Sequence, residues 1–208
     1  MASNQFIVAG IGTEIGKTFI SSILVEALEA NYWKPIQSGG LDYTDTDTVK
    51  GLVTNQKSVF YPEAYRLTQP LSPHAAAEID GVTIEVEDFQ LPQTTAPLVV
   101  ELAGGLMVPL NNDVLNIDLI EKFNLPVVLV TRNYLGSINH TLLSVHLLQS
   151  RGIAIKGLIF NGLSNPATES FILNHTKLPL LAKVEEHSEI TPSLVSHYAT
   201  VFKSIFCN

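Results

Sequence analysis

The stretch that most constrains how this chain folds is Gly10-Ile11-Gly12-Thr13-Glu14-Ile15-Gly16-Lys17-Thr18, because of what flanks it. Before it, Gln5-Phe6-Ile7-Val8-Ala9 reads as a buried strand; after it, Ile20, Ile23, Leu24, Ala27 and Leu28 recur at the three-and-four spacing of a helix face. A glycine-containing turn that leads from a strand into a helix presents N–H groups with no intrahelical partner, at the positive end of the helix dipole. Such a turn wraps a polyphosphate, with Lys17 adding a mobile charge and Thr18 a hydroxyl for Mg²⁺. The strict pattern G-x-x-x-x-G-K-[ST] requires glycine at position 11, where this chain has Ile11 between Gly10 and Gly12, so the loop is a variant.

Further apolar runs continue the rhythm. Leu98-Val99-Val100, Pro126 to Val130 and Ile155 to Phe160 read as strands, with a helix from Ser137 to Gln149 between the last two. Strands alternating with helices predict an α/β fold, a mostly parallel sheet with helices on both faces, expected as one P-loop NTPase-like domain over residues 1–208. Ligands of such sheets collect beyond the carboxyl ends of the strands, which singles out 10–18, 34–38, 101–105, 131–139 and Asn161. Residues 42–48 and 61–74, polar or proline-containing, are expected to be loops or short elements.

With 20 acidic against 12 basic residues and a net charge of −8, nucleic acid and anionic membranes are not expected as partners, so a polyanion must be met by local devices. A hydrophobic share of 46% against only 15% charged residues makes self-association plausible. The single cysteine, Cys207, leaves no disulfide framework and no cysteine metal cluster. The N-terminus has no secretory pattern, and the longest apolar stretch, Ala96 to Leu110, is too short and interrupted to span a bilayer, so a cytoplasmic location is expected.

Mg-nucleotide chemistry needs further oxygen ligands. Glu101 closes an apolar run and precedes Leu102-Ala103-Gly104-Gly105; an ionised carboxylate there is costly unless paired or on a metal. Asp45 and Asp47 are weaker signals that an exposed acidic turn explains equally well. Lys34 follows Tyr32-Trp33 and precedes Pro35, which biases it toward an extended conformation. His74 and His140 stand without partners at ligand spacing and read as hydrogen-bonding residues.

Taken together and in order, Gly12 to Thr18, Lys34-Pro35-Ile36-Gln37-Ser38-Gly39, Ser72-Pro73-His74, Val100-Glu101 through Gly105, Leu135 to His140 and Asn161 resemble the dethiobiotin synthetases, over most of the chain. The resemblance implies a homodimeric P-loop ligase of biotin biosynthesis. Such an enzyme closes a cyclic urea on 7,8-diaminononanoate with CO₂ or bicarbonate and MgATP, releasing ADP and phosphate. It implies Lys34 and Lys17 as catalytic residues. Nucleotide contacts would come from Gly12, Thr13, Glu14, Ile15, Gly16, Lys17, Thr18, Phe19, Asp47, Glu101, Leu102, Ala103, Gly104, Asn161 and Gly162. Thr18, Asp47 and Glu101 would ligate Mg²⁺. Thr13, Lys34 and Ser38 would meet the diamine, and Gly136, Ser137, Ile138 and Asn139 of the other subunit would receive the substrate's carboxylate.

The chain departs from the family at Gly12, where an acid is usual, and at Leu102, where glycine is usual. The late segment Pro179-Leu180-Leu181-Ala182-Lys183-Val184-Glu185 lacks the proline that normally covers the purine, so looser nucleotide choice is expected. An alternative class is a deviant P-loop switch ATPase, a regulatory binding module; its extra early lysine is missing here, where the loop has Ile11 and Gly12. A glutamine-hydrolysing synthetase needs a nucleophilic cysteine that Cys207, beside the terminus, cannot supply.

Overall fold

The computed structural model describes residues 4–206, so Cys207 lies outside the described residues. The main sheet is built from β1 (Gln5–Gly10), β2 (Asn31–Trp33), β4 (Phe60–Tyr61), β6 (Leu98–Gly105), β7 (Val127–Thr131), β8 (Ile155–Asn161) and β9 (Leu180–Val184). Their order is β4-β2-β6-β1-β7-β8-β9, with every neighbouring pair parallel. Parallel strands are covered on both faces, and for that reason they read as continuous apolar runs. Phe6 to Ala9, Leu98 to Val100 and Val127 to Val130 are all buried.

The helices are α1 (Lys17–Leu28), α2 (Asp45–Leu52), α3 (Pro73–Asp80), α4 (Asn116–Phe123), α5 (Ser137–Ser150), α6 (Pro166–Thr176) and α7 (Pro192–Phe206). From β1 the chain crosses through α1 toward the β2 edge, whereas β6, β7 and β8 cross through α4, α5 and α6 toward the β9 edge. Right-handed crossovers in opposite directions put α1 on one face and α4, α5 and α6 on the other. α7 packs on α1 and so joins its face. The direction of winding reverses around β1, and the crevice at that reversal is where the loop 10–18 lies.

A small parallel pair, β3 (Ile36–Ser38) and β5 (Tyr65–Leu67), stands apart from the main sheet and carries Ser38 toward the crevice. Residues 42–48 hold a loop and the start of α2, and residues 61–74 hold short strands and the start of α3. One detail differs from the sequence reading. Glu101 does not close its strand: β6 continues to Gly105, and Glu101 is 0% exposed inside it, opposite Val8. Beyond Val8 the register moves from Val8↔Glu101 to Gly10↔Gly105, so β6 bulges at Leu102-Ala103-Gly104 where it passes the loop.

Candidate active site

The loop conformation follows from two left-handed residues. Glu14 has φ 56 and Gly16 φ 90, and left-handed residues interspersed along a loop turn successive N–H groups into one concavity that suits an anion. Gly16 is obligatory on two counts: its φ, and a Cβ there would lie 2.1 Å from Asn161 Nδ2. Asn161, at the carboxyl end of β8, donates from that nitrogen to the Ile15 carbonyl at 2.9 Å, tying the loop to the sheet. The Lys17 ammonium reaches back across the loop to donate to the Gly12 carbonyl at 2.9 Å.

Beside the loop lies a buried charge cluster. Glu101 accepts on one oxygen from Thr18 Oγ1 at 2.9 Å and from Lys34 Nζ at 3.3 Å, and on the other from the Tyr32 hydroxyl at 3.0 Å. Lys34 is also ion-paired with Asp45. These partners answer the cost of a carboxylate in the interior of a strand. Burial pulls the Lys17 ammonium down to about 8, against the attraction of Glu101. Burial acts on Lys34 in the same direction, but the carboxylates of Glu101 and Asp45 outweigh it, and the net direction is up. Lys34 is therefore a fixed cation at neutral pH. Burial and the Glu101 charge push the Tyr32 hydroxyl well up, so it stays a donor.

A cavity of about 710 Å³ opens in front of this cluster, walled by Thr13, Glu14, Gly16, Lys17, Thr18, Lys34, Ser38, Asp45, Glu101, Ala103 and Gly104 among others. The nominated residues absent from its walls include Gly12, Ile15 and Leu102, the last packed in the core at 2% exposure. Asp47 is placed elsewhere. It occupies the third position of α2, where its carboxylate accepts from the Thr44 backbone and hydroxyl, each at 2.9 Å, while its own N–H bonds to Thr44 Oγ1. It is a capping-box acid, and Asp45 is the carboxylate that faces Lys34. Thr44-x-x-Asp47 was the sequence signal for this: an acid three residues after a threonine belongs to the helix end.

Thr18, Glu101 and Asp45 form a hard-oxygen set that fits Mg²⁺, which is ordinarily held by one or two carboxylates together with substrate phosphates. Among the described residues no cluster of three His, Cys, Asp or Glu converges on one point, as an all-protein cage would need. Asp45→Asn should lower turnover at least about tenfold while Asp47→Ala keeps turnover and loses only some thermal stability. Steady-state rates and melting curves on the two variants check this, and the reverse pattern would restore Asp47 to the site.

A second cavity, of about 240 Å³, shares Glu14 and Gly16 with the first and is walled further by Phe19, Arg132, Asn161, Gly162, Glu185, Glu186 and His187. Phe19, Asn161 and Gly162 meet in it, together with Arg132 from the strand-end stretch 131–139 and with Glu186 and His187, which carried no local signal. Arg132 lies against Gly162, where a Cβ would come within 3.2 Å of its Nε, and pairs with Glu186, which lines the same cavity. Gly136 to Asn139 belong to neither cavity. They start α5, with Gly136 at φ 101, next to the exposed Leu135. His74 Nδ1 meets Ser72 Oγ at 3.0 Å and His140 Nδ1 meets the Tyr134 hydroxyl at 2.7 Å, so both are hydrogen-bonding residues.

An AAA-domain family model matches residues 4–193. The ATP-dependent dethiobiotin synthetase BioD of Christiangramia forsetii is 49% identical over 203 residues, covering 98% of both chains. That of Cytophaga hutchinsonii is 45% identical over 196 residues, covering 94% of this chain and 95% of its own. Among solved structures, a ParA family ATPase from Chlorobium tepidum superposes with a TM-score of 0.58 at 12% identity, over 99% of this chain and 96% of that one. The septum site-determining protein MinD of Pyrococcus horikoshii, complexed with Mg-ADP, reaches 0.58 at 14% identity, over 97% and 93%. At such identities the ParA and MinD likeness is one of fold, the P-loop ATPase fold. Sequence identity sustained over almost the whole length decides the family: the chain belongs to the ATP-dependent dethiobiotin synthetases.

Proposed function

We propose that this chain, an ATP-dependent cyclo-ligase, joins 7,8-diaminononanoate to CO₂ using MgATP and releases dethiobiotin, ADP and phosphate. The observation that carries the reading is the convergence of Lys17, Lys34, Thr18 and Glu101 on a cavity whose other walls present Thr13 and Ser38. Ser38 Oγ is buried without a hydrogen-bond partner, and an unpartnered hydroxyl beside a cavity suits a ligand amine or carbamate.

One substrate amine takes up CO₂ and loses a proton, giving a carbamate. A carbamate oxygen attacks the γ-phosphorus, the bond to ADP breaks, and a carbamic–phosphoric anhydride forms. The second amine then attacks the carbonyl carbon, expelling phosphate and losing a proton as the ring closes. Phosphoryl transfer asks the protein for positioning and charge neutralisation, and the two lysines provide both. Lys34, held as a cation by its carboxylate neighbours, sits where the carbamate's charge develops; Lys17 and the loop N–H groups hold the phosphates. Thr18, Glu101 and Asp45 would hold Mg²⁺, which when bound would supply further neutralisation of phosphate charge. Ring closure is intramolecular, so proximity supplies much of the rest.

Gly136 to Asn139 are assigned to a second copy's substrate carboxylate, through N–H groups in the first turn of α5 beyond Ser137, whose own N–H is bonded to the Tyr134 carbonyl. Leu135, Leu143, Leu163 and Phe171, on and beside α5 and α6, are 104%, 60%, 68% and 50% exposed and would be covered by that copy. Incubation with diaminononanoate, bicarbonate and MgATP, with mass detection and sizing of the same preparation, is expected to show dethiobiotin made by a dimer. ATP turnover without dethiobiotin would refute the activity, and a fully active monomer would refute the shared site.

A further inference from the structure

The segment that follows β9 has little burial to hold it in place. Val184 is buried and His187 half-buried, but Glu185, Glu186, Ser188, Glu189 and Ile190 are exposed. Its conformation must therefore come from directed bonds. At its start, the Gly162 N–H donates to the Val184 carbonyl at 2.8 Å, fixing it to the end of β8. Two further bonds meet at one atom. The Tyr198 hydroxyl of α7 accepts the Glu185 N–H at 3.1 Å and bonds His187 Nε2 at 2.9 Å. A phenol oxygen that accepts one N–H keeps its own proton to give, so both partners can be satisfied at once.

The same ring is fixed to the phosphate loop's helix. Phe19, two residues beyond Lys17, stands edge-on to Tyr198 at 6.1 Å and to His187 at 6.4 Å between ring centroids. Those are favourable T-shaped contacts. α7 packs along α1, so the brace rests on two docked helices. Glu185, Glu186 and His187 line the smaller cavity together with Gly16 and Asn161. Tyr198 itself lines neither cavity described above.

We infer that the Tyr198 hydroxyl is the positioning group of the nucleotide-base pocket, holding the exposed cover segment at a set distance from the phosphate loop and thereby setting nucleotide affinity and base selectivity. This rests on the nucleotide reading of the site given above, and replaces the covering proline, absent here, by a hydrogen-bonded brace. Its effect is confined to the base subsite, because the bonds it makes reach Glu185 and His187 and none reaches the loop N–H groups.

The test is Tyr198→Phe, which keeps the ring against Phe19 and removes only the oxygen. ADP and inorganic tripolyphosphate are titrated calorimetrically against parent and variant, so the readout does not depend on dethiobiotin formation. With two bonds of modest net strength lost from an exposed segment, ADP affinity should fall about tenfold while tripolyphosphate affinity stays unchanged. The preference for ADP over GDP and CDP should shrink in parallel, and in turnover the loss should appear in KM for ATP and not in KM for the diamine. Unchanged ADP affinity overturns the inference. An equal fall for ADP and tripolyphosphate also overturns it, since that is the mark of a general loosening of α7. A parent protein that binds ADP but makes no dethiobiotin would refute the activity and leave this result readable.

Discussion

Lys34→Met is expected to lower kcat by about 10²–10³ while ATP still binds, because a buried, preorganised cation opposite the developing charge is lost and the phosphate loop is not. Lys17→Ala is expected to fail differently, losing nucleotide affinity and turnover together, since Lys17 belongs to the loop itself. Removing Lys34 also leaves Glu101, 0% exposed, without its cation, and breaking a buried pair in this way costs about 3–5 kcal/mol of stability. Lys34→Met with Glu101→Gln removes both charges and should recover much of the stability without recovering turnover. Rates, ADP titrations and melting curves on the three variants separate chemistry from folding. A Lys34→Met enzyme nearly as fast as the parent would end the catalytic assignment.

Gly16→Ala should reduce ATP affinity by about 10²-fold or more. The residue sits at φ 90, where a Cβ costs about 1–2 kcal/mol of backbone strain, and the added carbon would overlap Asn161 Nδ2 at 2.1 Å. Asn161 has little freedom to yield, because the same nitrogen is bonded to the Ile15 carbonyl and the residue is 9% exposed. Relief of the clash therefore breaks the tie between β8 and the loop and moves a side chain that lines the smaller cavity. Gly81→Ala is the matched control: its φ of 65 is also left-handed, but nothing lies within 4 Å of the added Cβ. It should cost stability of about 1 kcal/mol and leave ATP affinity alone. Equal nucleotide binding by Gly16→Ala and the parent would sink this account of the loop.

Local signals were legible wherever a backbone requirement forces residue type. The strand-loop-helix at Gln5 to Leu28 was readable because the turn demands glycine at Gly16 and the strand is buried on both faces. β7, α5 and β8 were readable for the same reason of burial. The short strands β4 and β5 were not, since two or three residues carry no period. Nor was β9, an edge strand with half its side chains toward solvent.

In the candidate site, Lys17, Thr18, Lys34, Ser38 and Glu101 could be nominated from motif order, and all five line one cavity. The choice between Asp45 and Asp47 could not be made from motif order alone. Two residues apart at a helix start, they point to different sides: the Thr44-x-x-Asp47 spacing marks Asp47 as the cap, and the docking of α2 beside Lys34 selects Asp45.

The sequence by itself determined the fold class, the phosphate loop and the family, because each depends on short-range chemistry or on residue order along the chain. Only the tertiary structure decided what stands opposite what. It put Glu101 inside a strand and made Lys34, Thr18 and Tyr32 its partners across 67, 83 and 69 residues of chain. It brought the Tyr198 hydroxyl onto the Glu185 N–H, and set Arg132 against Gly162. The physical reason is that a carboxylate, a hydroxyl or a guanidinium is placed by the packing of the element that carries it, and packing of distant elements leaves no periodic trace in the residues it joins.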